Sequence, residues 1–121
     1  MSKVIHFEIG VDNPQRAVKF YSSAFGWKID KFEGSMDYWL VTAGAEGEPG
    51  INGALMPRNG NLATVNTIAV ASLEEAMKAV EKAGGKVTQP KMAIPKIGYF
   101  TYCLDTEGNT FGILQPDMAA K

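Results

Sequence analysis

Residues Val4–Val11 alternate: Ile5, Phe7, Ile9 and Val11 fall on one side, His6, Glu8 and Gly10 on the other. That period of two predicts a β-strand with one apolar and one polar face. The pattern then changes to helical spacing. Asp12 or Asn13 can cap a helix, Pro14 suits its first turn, and Ala17, Val18, Phe20, Tyr21, Ala24 and Phe25 form its stripe before Gly26 ends it. Strands are predicted over Trp27–Glu33, Asp37–Ala43 and Ile51–Met56, with a Gly34-Ser35 turn and a Gly44–Gly50 loop between them.

After a polar, turn-forming stretch, Pro57–Leu62, the pattern begins again. Thr64–Val70 reads as a strand. Ser72 and Glu75 make a capping box, and Leu73, Ala76, Met77, Val80 and Ala83 a helical stripe ended by Gly84-Gly85. Lys86–Gln89 is a short strand and Pro90–Lys96 an irregular connection with two prolines. Tyr99–Leu104 and Thr110–Gln115 are strands around an Asp105–Asn109 turn. The order is βαβββ, twice. Identities recur at an offset of 59 residues: Val11 and Val70, Ala17 and Ala76, Ala24 and Ala83, Gly26 and Gly85, Gly53 and Gly112, Leu55 and Leu114, Pro57 and Pro116. They fall at equivalent points of equivalent elements, which indicates an internal duplication. One domain over residues 1–121 is expected, with module one over 3–57, a linker over 58–63 and module two over 64–116.

Composition narrows the function. The chain has 121 residues, 45% apolar and 21% charged, the profile of a soluble globular protein with one core. A net charge of −1 gives no electrostatic case for nucleic acid or an anionic membrane. There is no apolar run of spanning length and no signal-like N-terminus. A lone cysteine, Cys103, cannot form an internal disulfide, and a reducing, cytoplasmic location is expected. Cys103 sits in an apolar-aromatic run and is expected in the core.

Two βαβββ modules with the His6 strand, the helix from Pro14 through Phe20-Tyr21 to Phe25-Gly26-Trp27, and Asp105-Thr-Glu-Gly-Asn109 before the final strand resemble the vicinal-oxygen-chelate superfamily. That group holds glyoxalase I, fosfomycin-resistance transferases, methylmalonyl-CoA epimerase, extradiol dioxygenases and bleomycin-resistance proteins. The resemblance implies an α+β fold in which the modules form a curved sheet cup with helices outside. It also implies a homodimer. The superfamily's common metal set takes one residue from the first and one from the last strand of each module. Those positions fall here on His6, Val65, Gly53 and Gly112. Only His6 can bind a metal, whereas such sites use about three protein ligands. No metal and no cofactor are therefore expected. The two glycines would leave room for a bulkier guest.

His6, the only histidine, and Glu8 on the same strand face are the catalytic candidates. Trp39, Thr67, Phe100 and Tyr102 join them as candidate ligand contacts. By parity Phe100 and Tyr102 share one face, and Tyr99, Thr101 and Cys103 the other. The resemblance suggests that the Tyr102 position points into the cup. Phe20, Tyr21, Phe25, Met77 and Val80 are expected in the core. The chain is expected to bind a small organic molecule without a metal, comparably to the bleomycin-resistance members. The alternatives are a glyoxalase-related lyase or isomerase with His6 as general acid/base, and a dimeric scaffold whose cup is unused.

Overall fold

A computed structural model describes residues 2–34, 36–58, 60 and 63–121. Asn59, Asn61 and Leu62 of the expected linker, and Ser35 of the expected turn, lie outside the described residues. The chain forms two compact units: His6–Val65, and residues 1–5 with 66–121. No helix among the described residues is long and apolar enough to cross a membrane.

The His6–Val65 unit contains most of β1 (Val4–Val11), then α1 (Pro14–Phe25), β2 (Lys28–Lys31), β3 (Trp39–Thr42) and β4 (Gly53–Pro57). Its sheet order is β2-β3-β4-β1, antiparallel except for the parallel β4–β1 pair. A parallel neighbour needs a crossover, which α1 and the β2–β3 hairpin supply. Asn13 is the helix cap: its Oδ1 accepts the Arg16 N–H at 3.0 Å, and Pro14 follows in the first turn. Gly26 ends the helix at φ +72°, a left-handed conformation that glycine adopts without steric cost.

One face of this sheet packs against α1. Val11, Val41 and Leu55 are its buried centre, with Phe7, Ile9, Ala17, Val18, Tyr21, Trp27, Ile29 and Trp39 around them. Phe20 and Phe25, expected in the core, are instead 57% and 65% exposed. Ala17, Val18 and Tyr21 occupy the stripe facing the sheet. Phe20 and Phe25 sit beside it, in edge contact with each other at 6.4 Å.

The other unit holds Asn66–Ala69 of β5 (Thr64–Ala69), α2 (Leu73–Lys82), β6 (Lys86–Val87), β7 (Met92–Ile94), β8 (Gly98–Leu104) and β9 (Thr110–Pro116). Its order is β5-β9-β8-β6, with β7 also on β8. Again the β5–β9 pair is parallel and the rest antiparallel. Ser72 Oγ accepts the Glu75 N–H at 3.2 Å, half of the expected capping box. Leu73, Cys103 and Ile113 are the buried centre, packed by Ile68, Ala76, Met77, Val80, Tyr99 and Phe111.

The connection expected to be irregular at Pro90–Lys96 contains β7. Its residues pair Met92 with Phe100, Ala93 with Tyr99 and Ile94 with Gly98. Pro90 and Pro95 flank this strand and do not interrupt it, so neither removes a ladder hydrogen bond.

Candidate functional site

Strand parity and register assign each candidate to a face. In the first unit, Glu8 pairs with Ala54, and Ala54 with Leu40. His6, Glu8, Leu40 and Ala54 therefore share the face away from α1. Tyr38, just before β3, shares it by the same alternation. It is anchored at the sheet edge: its carbonyl accepts the Phe32 N–H at 2.8 Å, and the Phe32 ring meets the Tyr38 ring edge-on at 6.3 Å.

These residues form a polar chain. The Tyr38 hydroxyl donates to Glu8 Oε2 at 2.8 Å and lies 2.8 Å from His6 Nε2. The Tyr38 and His6 rings are nearly parallel, 15° apart. Glu8 is only 6% exposed, so a charge-assisted donor is what its carboxylate needs to remain there. Burial holds the His6 imidazole below its ordinary range, against the opposing pull of the Glu8 carboxylate. The imidazole is therefore neutral at pH 7. One strand could not bring His6 and Glu8 into direct contact easily; Tyr38 bridges them.

Trp39, expected as a ligand contact, packs on the opposite face against the Val11–Val41–Leu55 cluster. The reason is a register difference between the modules. Tyr102 pairs with Gly112, whereas Leu40 pairs with Ala54. Leu40 is thus the counterpart of Tyr102, Tyr38 that of Phe100, and Ala54 that of Gly112. The 59-residue offset holds on the first strands and slips on the later ones.

In the second unit the structure brings Thr67, Phe100, Tyr102 and Gly112 to the face away from α2. Thr67 and Tyr102 both pair with Gly112, and the Phe100 and Tyr102 rings meet edge-to-face at 4.8 Å. Tyr99 and Cys103 lie on the α2 side. The glycines do not leave room for a guest. A Cβ on Gly112 would stand 2.6 Å from Phe100 Cζ and 3.1 Å from Thr67 Oγ1. A Cβ on Gly53 would run into the Phe7 carbonyl and ring. Each glycine seats an aromatic residue of the chain itself.

Thr67 Oγ1 is buried without a hydrogen-bond partner among the described residues. An unsatisfied buried hydroxyl costs about 1–3 kcal/mol. Thr67→Val should therefore raise stability by about 1 kcal/mol, a rise of about 4 °C in melting temperature. A fall would mean that the hydroxyl is satisfied by bound water.

The superfamily's metal set does not fit these residues. With the corrected register its positions are His6, Val65, Ala54 and Gly112, and the last three offer no side-chain donor. Among the described residues no three His, Cys, Asp or Glu side chains cluster.

A model of the Glyoxalase/Bleomycin resistance protein/Dioxygenase superfamily matches residues 3–113. The chain belongs to this superfamily. A "Glyoxylase-like domain-containing protein" of Didymella fabae is 30% identical, with 91% of this chain and 94% of that one covered. Among solved structures, methylmalonyl-CoA epimerase from Mycobacterium tuberculosis superposes with a TM-score of 0.71 at 13% identity, over 94% of this chain and 87% of that one. A methylmalonyl-CoA epimerase in complex with methylmalonyl-CoA and NH4+ gives 0.74 at 12% identity, over 100% and 99%. At such identities the superfamily's shared α+β fold carries over, and the site must be argued from its own residues.

Proposed function

We propose that this superfamily member binds a small organic molecule on the His6–Glu8–Tyr38 face, without a divalent metal. The observation that carries this is the His6–Tyr38–Glu8 chain, with both links at 2.8 Å. The two side chains that could start a metal site are tied to a phenol hydroxyl and to each other through it. A neutral imidazole nitrogen is left for an organic partner. A methylmalonyl-CoA epimerase of the same fold is known in complex with methylmalonyl-CoA, which supports an organic guest as such and not that particular one.

A glyoxalase-related lyase or isomerase is the second reading. The open imidazole nitrogen favours it, since His6 could take or give a proton there.

The test is a thermal-shift panel of small neutral alcohols, phenols and amides together with methylmalonyl-CoA and α-ketoaldehyde–thiol adducts, on wild type and His6→Ala. A ligand at a hundred times its Kd stabilises by about 2.7 kcal/mol, or about 10 °C. That shift should vanish in His6→Ala while the variant remains folded. A stoichiometric divalent ion in the purified protein, or a shift that survives His6→Ala, would overturn the proposal. Turnover of a panel compound, lost in His6→Ala, would decide for the enzyme.

A further inference from the structure

We propose that Tyr38 is a positioning residue that locks His6 in one tautomer, and that the site selects neutral ligands presenting a hydroxyl or N–H donor. The ligand class rests on the proposal that the His6 face is where an organic molecule binds; the tautomer does not.

A phenol has one O–H hydrogen. Tyr38 gives it to Glu8 Oε2, because a carboxylate can only accept. Toward His6, 2.8 Å away, the same oxygen can then only accept. His6 must donate through Nε2–H, and in a neutral imidazole the other nitrogen, Nδ1, then carries a lone pair. No hydrogen bond of Nδ1 is formed with the described residues. The imidazole is half-buried, so this lone pair asks for a donor from a ligand.

The same geometry disfavours an anion. A ligand carboxylate or phosphate at Nδ1 would meet an acceptor where it needs a donor. It would also stand one tyrosine away from the buried Glu8 carboxylate. Among the described strand residues of this unit, the other charged side chains on this face are Lys28 and Asp30, both exposed and of opposite sign. Ala54 and Leu40 between them and β1 add no charge. Val65 adds none.

Because His6 is the only histidine, one pair of imidazole nitrogen resonances reports the site. In ¹⁵N-histidine-labelled wild type at pH 7.5, the Nε2–H tautomer should dominate. In Tyr38→Phe it should give way to a mixture or to Nδ1–H. A wild-type spectrum already in the Nδ1–H form overturns the lock without need of the variant. A folded Tyr38→Phe that keeps pure Nε2–H overturns the role of Tyr38.

Phenol and benzoate then test the ligand class, as donor and anion of similar size. Phenol should move the Nδ1 resonance at concentrations about ten-fold or more below those at which benzoate does. Equal response, stronger response to benzoate, or response to neither overturns the selectivity. The tautomer is read on the free protein, so failure of ligand binding and failure of the lock are separate results.

Discussion

Gly53→Ala is expected to lower stability by about 3 kcal/mol, a fall of about 10 °C in melting temperature. Gly53 pairs with Phe7 across the parallel β1–β4 contact and is buried. An added Cβ would meet the Phe7 backbone carbonyl, and Phe7 Cγ and Cδ1 at 2.6 Å. The carbonyl belongs to the strand that carries His6 and Glu8, and it cannot yield without moving that strand. Gly112→Ala is the informative contrast. There the obstruction is the Phe100 ring, at 2.6 Å and 2.7 Å, which can tilt about its side-chain torsions. A cost of about 1 kcal/mol is expected at Gly112. Thermal melts of both variants check the order. If Gly112→Ala were the more damaging, the limit would be the fit of Phe100 on its face and not the strand spacing.

The glycine pair also marks how far the sequence could be read. Alternation over Val4–Val11 placed His6 and Glu8 on one face, as the strand now has them, because period two needs no long-range information. The same parity put Phe100 with Tyr102 and Tyr99 with Cys103. The helix stripes were legible in position but not in width. Spacing alone could not say that Ala17, Val18 and Tyr21 face the sheet while Phe20 and Phe25 lie beside it.

What parity within a strand cannot supply is register between strands. The two modules have similar first strands, but module two runs three residues longer before the strand that pairs with its last, so Leu40 matches Tyr102 and not Tyr99. A fixed offset therefore slips by that strand, and an odd-numbered slip turns Trp39 away and brings Tyr38 in. The signal for Tyr38 was present: a tyrosine next to the tryptophan, at the head of an aromatic strand. Two adjacent aromatic residues leave open which of them faces the site, and only the Trp39–Leu55 and Leu40–Ala54 pairings decide between them. β7 was missed for a related reason. Two prolines argue against a strand only when they lie inside it, and here they bracket three residues.

Leu55→Ala is expected to cost about 3 kcal/mol and to leave the His6 site as it was. Leu55 is fully buried, between Val11 and Val41, on the face of β4 that meets α1. Removing its side chain loses transfer free energy and leaves a cavity bordered by Ile9 and Trp39 that the rigid sheet closes only in part. The neighbouring residue Ala54 points the other way, toward Glu8. The two faces of one strand thus separate stability from site chemistry. Urea denaturation should show the lower midpoint with an unchanged slope. The ¹⁵N spectrum of His6 should retain the Nε2–H tautomer below the transition, and a ligand found for wild type should give the same shift in melting temperature. Loss of the tautomer in a folded Leu55→Ala would mean that the Tyr38–Glu8 link depends on packing behind the sheet. The polar chain would then be a product of the core, and Trp39, though turned away from the site, would act on it through Leu55.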